Sequence, residues 1–292
     1  MGKIDVSIIL VNYNGLNVLR DCLDSIFRHS SGFTFEVIVV DNDSRDGSVE
    51  YLSQRKDIVF IKAGENLGFG RGNNLGFQHS HGEYLFLLNT DTILRNNAIK
   101  IFLDRYNSFA DVGCIGCYLK GLDGNVCMSY GRFTSVSYEF RKGIMTYFKR
   151  LGILSNQGVD LIDGREVDYV IGADIFMNRN IASQLGLFDS RYFMYGEESD
   201  MQRRYRKNGY RHYVVCGPDI MHLEGAGKGV SMKRKILAEA GKFLYIRIWD
   251  GNFKYVIFRL GYFFLKFPII FDMKYTIREK MHYLLWLVSG KR

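Results

Sequence analysis

Three consecutive residues with oxygen-bearing side chains, Asn89, Thr90 and Asp91, interrupt an apolar part of the sequence. The apolar run Tyr84–Leu88 stops before them, and apolar residues resume at Ile93. Asn, Thr and Asp are good turn formers, so one interpretation is an ordinary turn. The alternative is that an amide, a hydroxyl and a carboxylate follow a buried strand because a ligand binds there.

The elements that must position these residues alternate between strand-like and helix-like patterns. Continuous apolar runs predict strands at residues 6–11, 35–40, 58–61, 84–88 and 112–118. Apolar residues at helical spacing predict helices around residues 16–27, 49–52, 76–80 and 99–103. Strands that are apolar throughout and alternate with amphipathic helices indicate a mostly parallel sheet covered by helices on both faces.

Polar residues follow three of these predicted strands. They are Asn12-Tyr13-Asn14 after the first, Asp41-Asn42-Asp43 after the second, and Asn89-Thr90-Asp91 after the fourth. The carboxyl ends of parallel strands meet at one edge of a sheet, and ligands of such folds bind there. The convergence therefore favours a binding site over three unrelated turns.

A nucleotide is the natural ligand for such a sheet, but two common nucleotide motifs are missing. A dinucleotide site needs G-x-G-x-x-G directly after the first strand, where this chain has NYNGLN with Gly15 alone. The later NLGFGRGNN contains Gly68, Gly70 and Gly72 at a different spacing, and it follows the third strand. A Walker loop is absent as well. The sequence thus argues against dehydrogenases and P-loop enzymes.

Composition and cysteine content indicate a folded cytosolic protein. The 292 residues, with 47% hydrophobic residues and two prolines, fit one ordered domain with or without an appendage. The first residues, MGKIDVSIILV, match neither a signal peptide nor a myristoylation signal. Five cysteines are then expected to be reduced. Cys114 and Cys117 could form half of a zinc site, but core packing is favoured because a second close pair is missing.

The C-terminal segment is basic and aromatic, whereas the rest of the chain is nearly neutral. Residues 241–292 contain 10 Lys or Arg, 3 Asp or Glu and 14 of the 43 aromatic residues, so they carry +7 of the net charge of +8. Arg259, Lys266 and Asp272 interrupt every apolar stretch long enough to span a bilayer. We expect this segment to lie on a membrane surface, or else to form a helical subdomain packed on the body. Nucleic acid is not an expected partner, since its binding motifs are absent.

Five motifs occur in an order that resembles glycosyltransferase family 2. They are VSIILVNYNG, EVIVVDNDSRDGS, NLGFGRGNN, YLFLLNTDT and YFMYGEESDMQRRYRKNGYR. The resemblance covers residues 4–225 and is nearest to rhamnosyltransferase-like members that build bacterial O-antigens and capsules. It implies a GT-A fold, in which a Rossmann-like, mostly parallel sheet is flanked by helices, here followed by the basic aromatic helical segment. It also implies a nucleoside-diphosphate-sugar donor, a divalent cation and inversion at the anomeric carbon.

The resemblance implies several contacts with the nucleotide. Asp41 would read the base, because a carboxylate matches the imide N–H of uracil or thymine. The backbone would line the base and ribose at Val11, Asn12 and Tyr13. The glycines of GFGRGNN would let the backbone approach the nucleotide closely, with Arg71 or Asn73 reaching toward it.

The stretch Asn89-Thr90-Asp91 resembles the Asp-x-Asp metal motif of the family, with an amide in place of the first carboxylate. Mn²⁺ or Mg²⁺ prefers hard oxygen ligands, and Asp91 would anchor it together with the donor diphosphate. His222 matches the position of a family histidine that can join the metal. Asn89 and Thr90 would contact the donor. Because the first carboxylate of the motif is missing, the metal is expected to bind weakly when the donor is absent.

Three acids, Glu197, Glu198 and Asp200, open the segment EESDMQRRYRK. Acidic residues at a helix start complement its dipole, and Asp200 can pair with a following arginine, so Asp200 is expected to be structural. By family position Glu198 would be the general base that takes the proton from the acceptor hydroxyl. Glu197 would orient the acceptor. Many relatives carry Asp where this chain has Glu198.

The acceptor half is less informative. The resemblance fades between residues 121 and 168 and resumes at VIGADIFMNR, which would bring Gly172, Ala173 and Asp174 near the acceptor. The predicted organisation is a catalytic domain at 1–228, with a nucleotide-sugar half at 1–120 and an acceptor half at 121–228. A helical, membrane-surface segment would follow at 229–292.

The favoured donor is dTDP-rhamnose, and a UDP-hexose such as UDP-galactose or UDP-glucose comes next. The expected acceptor is a glycan or lipid-linked glycan at the inner face of the cell membrane. A catalytically inactive, membrane-associated scaffold of the same fold is the alternative from another class. Asn89 favours that alternative, whereas Asp91, His222 and Glu198 count against it.

Overall fold

The computed structural model describes residues 2–150, 160–223 and 231–289, and the chain divides into two units. The sheet unit comprises residues 1–133, 160–193 and 197–228, and the helical unit comprises 134–159, 194–196 and 229–292. The second unit includes the predicted C-terminal segment. Val136 and Phe140, which belong to the predicted acceptor half at 121–228, pack against the core of the helical unit, and the predicted division into halves stays a prediction.

Twelve strands occur in the described residues: β1 (Val6–Asn12), β2 (Phe35–Asp41), β3 (Val59–Lys62), β4 (Tyr84–Leu88), β5 (Thr92–Leu94), β6 (Val112–Cys117), β7 (Tyr130–Gly131), β8 (Arg165–Val167), β9 (Tyr169–Val170), β10 (Asp174–Asn178), β11 (Arg211–Val215) and β12 (Ile220–His222). The α-helices described are α1 (Leu16–His29), α2 (Ser48–Ser53), α3 (Gly68–Gln78), α4 (Ala98–Tyr106), α5 (Val136–Arg150), α6 (Arg179–Leu185), α7 (Glu197–Lys207), α8 (Met232–Lys266) and α9 (Ile277–Ser289). A 3₁₀ helix (Phe267–Phe271) joins α8 to α9.

The sheet unit is built on an eight-stranded sheet in the order β3-β2-β1-β4-β10-β6-β11-β8. The strands β3, β2, β1 and β4 are parallel to one another, and β6 is parallel to β11. β10 runs antiparallel between β4 and β6, and β8 is antiparallel at one edge. All five predicted strands are present, and the mostly parallel sheet agrees with the prediction.

Both faces of the sheet are covered, as its apolar strands require. Successive residues of β1 point to opposite faces, so Ile8 and Leu10 join one core while Ile9 joins the other. Leu19 and Leu23 of α1 pack in the first core. The strands are therefore buried on both sides, and the polar residues at their carboxyl ends mark the accessible edge.

Helix α3 differs from the prediction, because the glycine-rich stretch is itself helical from Gly68 onward. A Cβ on Gly72 would lie 2.8 Å from Val11 Cγ1, and one on Gly76 would lie 2.5 Å from Ile9 Cγ2. Glycine at these positions lets the helix axis approach the sheet more closely than an alanine would allow. The composition thus reflects close packing, which overrides the low helix propensity of glycine.

The helical unit has its own core, formed by α5, α8, the 3₁₀ helix and α9. Phe243, Phe258 and Trp286 are buried in it, and the rings of Phe243 and Trp286 stack 5.6 Å apart. Arg259 Nε donates to the carbonyl oxygen of Leu287 at 2.7 Å, near the C-terminus of α9. Gly251, with φ of 84°, interrupts α8. Among the helices described, none combines the length and apolar character that crossing a bilayer requires.

The two closely spaced cysteines lie on β6 and are completely buried. Burial raises the pKa of the Cys114 thiol and that of the Cys117 thiol well above the usual value. In the part of the chain that the structure describes, no group of three potential metal-ligating side chains occurs. Cys117 packs in one core of the sheet unit and Cys114 in the other, in agreement with the core-packing interpretation.

Candidate functional site

The polar residues after β1 and β2 meet at the carboxyl edge of the sheet. Asn12 is in register with Asp41, and its Nδ2 donates to Asp41 Oδ2 at 2.8 Å. Asn12 Nδ2 also lies 3.1 Å from Ser44 Oγ, which accepts from the backbone N–H of Asn14 at 2.9 Å. Ser44 was missed from the sequence, although its place three residues after Asp41 is a frequent position for a loop-bracing hydroxyl.

Asp41 is almost completely buried. Its Oδ1 accepts from the backbone N–H of Ser44 at 2.8 Å, while its Oδ2 accepts from Asn12. This carboxylate therefore holds the β1 and β2 loops together. Direct reading of a base by Asp41 stays a prediction. Of the neighbouring residues, Val11 is half-buried and Tyr13 is 53% exposed.

The two polar residues predicted from α3 behave differently. Asn73 is buried, and its Nδ2 donates within the helix to the carbonyl oxygen of Phe69 at 3.0 Å. The predicted nucleotide contact of the Asn73 side chain is therefore not supported. Arg71 is half-buried, and its Nε donates to the carbonyl oxygen of Leu67 at 2.8 Å. Arg71 thus remains the candidate for a phosphate contact from this helix.

The stretch from Asn89 to Asp91 is a tight connection between β4 and β5. The backbone N–H of Asn89 donates to the carbonyl oxygen of Ala173 at 3.0 Å, and its own carbonyl oxygen accepts from Thr92 Oγ1 at 2.7 Å. All three residues are partly exposed. The turn interpretation is therefore correct for the backbone, and this turn leaves its three side chains accessible to a ligand.

Asp91 and His222 come together because β12 pairs antiparallel with β5. His222 lies opposite Thr92, and the backbone N–H of Leu223 donates to the carbonyl oxygen of Asp91 at 2.8 Å. This pairing brings His222 Nε2 to 3.3 Å from Asp91 Oδ1. A carboxylate oxygen and an imidazole nitrogen so close can share a divalent cation. The described residues contain no group of three potential metal ligands. The oxygen atoms of the donor diphosphate would therefore complete the coordination shell of the cation.

The Asp174 side chain is completely buried inside the sheet, and the predicted place of Asp174 near the acceptor stays a prediction. Its Oδ2 accepts from the backbone N–H of Cys117 at 2.7 Å. Burial raises the pKa of Asp174 to about 7, although the hydrogen bonds with Cys117 and the charge of His222 lower it. Ala173 is buried too, so only its backbone takes part in the site, through Asn89. Gly172 is half-buried, and a Cβ there would lie 3.2 Å from the Phe69 ring.

The acids at the start of α7 have three different environments. Asp200 is buried, and its Oδ2 lies 3.1 Å from Arg204 Nε, which gives it the predicted structural role. Glu198 is half-buried, the most open of the three. The helix is fixed to β9 through Gln202, whose Oε1 accepts from the backbone N–H of Val170 at 2.9 Å. Glu198 therefore sits on a rigid element with its side chain reachable from solvent.

Glu197 is only 3% exposed and packs on α3. Its Cγ lies 3.5 Å from the point where a Cβ on Gly70 would stand. That contact puts Glu197 against the glycine-rich helix, on the side of the site where a nucleotide is expected. The role of Glu197 in orienting the acceptor stays a prediction.

Comparison with known proteins identifies the family. Residues 7–185 match the family model described as Glycosyl transferase family 2. An N-acetylglucosaminyl-diphospho-decaprenol L-rhamnosyltransferase of Mycobacterium tuberculosis is 24% identical over 208 residues, which cover 66% of this chain and 68% of that protein. The low-salt glycan biosynthesis hexosyltransferase Agl10 of Haloferax volcanii is 26% identical over 207 residues, with coverage of 70% and 62%.

Two solved structures show the same fold. TarS 1-349 of S. aureus in complex with UDP-GlcNAc superposes with a TM-score of 0.59 at 14% identity, over 98% of this chain and 82% of that one. The mannosyltransferase PcManGT of Pyrobaculum calidifontis, with GDP-Man and Mn²⁺, gives a TM-score of 0.56 at 15% identity, over 100% and 77%. The mixed sheet, its carboxyl-edge polar cluster and the family match lead to one conclusion: the chain belongs to glycosyltransferase family 2 and is a glycosyltransferase with a GT-A fold.

Proposed function

We propose that this enzyme is an inverting, divalent-metal-dependent transferase that moves a sugar from a nucleoside diphosphate to a glycan of a bacterial surface polysaccharide. The observation that carries the proposal is the 3.3 Å approach of His222 Nε2 to Asp91 Oδ1 at the carboxyl edge of the sheet. A nitrogen ligand and an oxygen ligand that are held together at this edge suit a divalent cation that also binds a diphosphate. An inactive scaffold has no need to keep this pair together.

The donor half of the site would be held by this edge. Asp91 and His222 would hold Mn²⁺ or Mg²⁺, and Asn89 and Thr90 would contact the donor beside them. The bound cation would supply the positive charge that stabilises the departing diphosphate. Arg71 would add a charged hydrogen bond to a phosphate oxygen through its terminal guanidinium nitrogens, while its Nε donates to the Leu67 carbonyl.

Glu198 would act as the general base in this proposal. In an inverting transfer, a carboxylate removes the proton of the acceptor hydroxyl as that oxygen attacks the anomeric carbon from the side opposite the leaving diphosphate. Glu198 is the most open of the three acids, and it lies in the first turn of α7, where the helix dipole favours its ionised form. Asp200 is already engaged with Arg204 and is not available for this task.

The favoured donor is dTDP-rhamnose, and the favoured acceptor is a lipid-linked glycan. The M. tuberculosis relative supports rhamnose and a lipid-linked acceptor, since its name is N-acetylglucosaminyl-diphospho-decaprenol L-rhamnosyltransferase. A UDP-hexose is the second candidate, supported by TarS with UDP-GlcNAc. We further propose that the enzyme works at the inner face of the membrane, to which the basic C-terminal segment would attach it.

Slow hydrolysis of the donor gives a test that needs no acceptor. Purified enzyme is incubated with dTDP-rhamnose, UDP-glucose or UDP-galactose, with Mn²⁺ or with EDTA, and the released nucleoside diphosphate is measured. We expect one donor to be hydrolysed faster than the others and only with the cation. Absence of hydrolysis and of any thermal stabilisation by all three donors would support the inactive scaffold instead.

A further inference from the structure

The second half of α8, after Gly251, has apolar side chains on both of its faces. Phe258 and Tyr262 are buried in the helical unit, as expected for a helix packed on a core. Exposed apolar residues recur on the other side, at Phe253, Val256, Ile257, Leu260 and Phe264. Their spacing of three and four residues forms one stripe along the helix. A water-facing helix normally carries charges there, so this stripe is expected to be covered.

The elements that follow continue the same property. In the 3₁₀ helix Phe271 is 79% exposed, and Met273 directly after it is 94% exposed. Helix α9 exposes Ile277, Met281, Leu285 and Val288 at a spacing of three to four residues, while Trp286 and Leu287 are buried on its inner side. The helical unit therefore exposes far more apolar surface than isolated side chains on an ordinary protein surface would.

Charge selects among the possible occupants of this surface. The segment from residue 241 onward carries a net charge of +7, and exposed basic residues such as Lys254, Lys274 and Arg278 lie between the exposed apolar ones. A second copy of the chain would bring the same positive charge against it. An anionic lipid surface offers both an apolar layer for the stripe and negative headgroups for the lysines and arginines.

A cavity of about 490 Å³ lies beside this stripe in the helical unit. Its rim includes Phe264 of α8 and Ile144 of α5, both exposed. Four lysines line it, together with two acids: Lys142, Lys235, Lys242, Lys266, Glu139 and Asp272. A polar, predominantly cationic chamber that opens next to apolar side chains matches a lipid phosphate above its acyl chains.

Two of the cavity lysines, Lys242 and Lys266, are held by a network of ion pairs and hydrogen bonds. Lys242 Nζ lies 2.7 Å from Glu139 Oε2 and 3.0 Å from the hydroxyl of Tyr262, which donates to Glu239 Oε2 at 2.5 Å. Lys266 Nζ lies 3.6 Å from Glu239 Oε1. Burial lowers the pKa of Lys266, and the negative charge of Glu239 offsets this only in part. Lys266 would thus gain from a further anion.

We propose that the apolar stripe of α8 and α9 inserts into the interface of an anionic bilayer, and that the lysine-lined cavity receives the phosphate of a membrane phospholipid. The inference deepens the proposed membrane attachment by naming its surface and its headgroup site. It does not depend on sugar transfer. It also gives the buried network of lysines and glutamates a function. Stability alone does not explain this network, because apolar residues in the same space would often make the protein equally or more stable.

Sedimentation with vesicles tests the proposal on the intact chain. Vesicles of phosphatidylcholine alone are compared with vesicles containing phosphatidylglycerol. We expect the wild-type protein to sediment with the anionic vesicles only. The double variant L260Q/F264Q should bind them about tenfold more weakly or worse, since two exposed apolar groups no longer enter the interface. K142Q, at an exposed lysine of the cavity, should lose part of the preference for phosphatidylglycerol while it keeps its melting temperature.

Matched variants of the sheet unit provide the controls. L122Q replaces an equally exposed leucine and K56Q an exposed lysine, and neither should change vesicle binding. Equal wild-type binding to both vesicle types, or unchanged binding by L260Q/F264Q, would overturn the proposal. So would a dimer in solution that L260Q/F264Q abolishes, or complete release from vesicles by millimolar inorganic phosphate. Donor hydrolysis by L260Q/F264Q should equal that of the wild type, which separates this inference from the proposed catalysis.

Discussion

His222 Nε2 and Asp91 Oδ1 lie 3.3 Å apart across the short β5–β12 pair, although the two residues come from distant parts of the sequence. Since only these two protein ligands are expected, most of the coordination shell would come from the donor. We therefore expect UDP or dTDP to raise the melting temperature more with Mn²⁺ than without it. D91N and H222Q should each remove this extra shift, as measured by a fluorescence-based thermal melt.

An exposed carboxylate elsewhere gives the control for that experiment. D123N removes a fully solvated acid from the loop after β6, so it should leave the cation-dependent shift unchanged. Equal shifts with and without Mn²⁺ in the wild-type protein would contradict the metal role of Asp91 and His222.

Loss of the general base is expected to reduce turnover without unfolding the enzyme. In E198Q the amide keeps the shape of the side chain but cannot accept a proton at neutral pH. Turnover should fall by about 10²–10⁴-fold, with little change in donor affinity. The measurement is the transfer rate at saturating donor, with the melting temperature as a check. Near-normal turnover of E198Q, combined with an inactive E197Q, would assign the base to the other glutamate.

The third acid of α7 should affect stability and not chemistry. Asp200 is buried against Arg204, whose guanidinium also donates to the carbonyl oxygen of Leu185. D200N removes the counter-ion of the partly exposed Arg204 guanidinium and weakens a hydrogen bond to a charged group, which costs about 1–3 kcal/mol. Urea denaturation should show the loss, and the double variant D200N/R204Q should recover part of it. A D200N protein of wild-type stability and no activity would show that this acid takes part in the reaction.

Close packing of α3 on the sheet can be tested with a compensating pair. The added methyl group of G72A would lie 2.8 Å from Val11 Cγ1, so the helix or the strand must shift, at a cost of about 1–3 kcal/mol. V11A removes the opposing methyl groups. The G72A/V11A protein should therefore be more stable toward urea than the sum of the two single effects predicts. Strict additivity would mean that the glycine serves another purpose.

The buried histidine of β11 should make stability fall in mild acid. Burial lowers the pKa of His212 to about 4. Its neutral ring is well satisfied, because Nδ1 accepts from the backbone N–H of Cys114 at 3.2 Å and Nε2 donates to the carbonyl oxygen of Gln202 at 2.8 Å. In the unfolded chain the histidine is protonated near its ordinary pKa of about 6.5, whereas in the folded chain it is protonated only near pH 4. The stability from this site is therefore present above pH 6.5 and is lost as the pH falls toward 4.

This loss amounts to about 3 kcal/mol at most, at 1.36 kcal/mol per pKa unit. Urea denaturation between pH 7 and pH 4.5 measures it. H212Q is expected to be less stable at pH 7 but to lose less on acidification. H282Q, which alters an exposed histidine, should follow the wild-type slope. Identical slopes for wild type and H212Q would contradict the assignment.

Much of the fold could be predicted because its strands are apolar throughout. Runs such as those of β1 and β4 are too short for helices and too apolar for exposed strands, so they indicate a sheet covered on both faces. The same reasoning failed at α3. Gly70, Gly72 and Gly76 are poor helix formers in isolation, and only the closeness of Val11 and Ile9 explains why this stretch is helical.

The parts of the site formed by residues adjacent in the sequence could be predicted. The parts formed by residues that are distant in the sequence and come together in the fold were harder to predict. Asn89-Thr90-Asp91 could be recognised from its place after a buried strand. The sequence did not reveal that Asn12 and Ser44 donate hydrogen bonds to the Asp41 carboxylate. Nor did it reveal that the Asp174 side chain is buried on a strand that lies between two others. Such burial depends on the antiparallel insertion of β10, for which local pattern carries no signal.

That insertion has a consequence for how the chain folds. β10 pairs with β4 on one side and β6 on the other, and Asp174 lies opposite Leu88, so strands far apart in sequence must meet before the centre of the sheet closes. Such non-local pairing slows folding. Until β10 is added during synthesis, β4 and β6 each have an apolar, unpaired edge that can pair with another chain. The nascent enzyme is thus prone to aggregate until β10 has been made and paired.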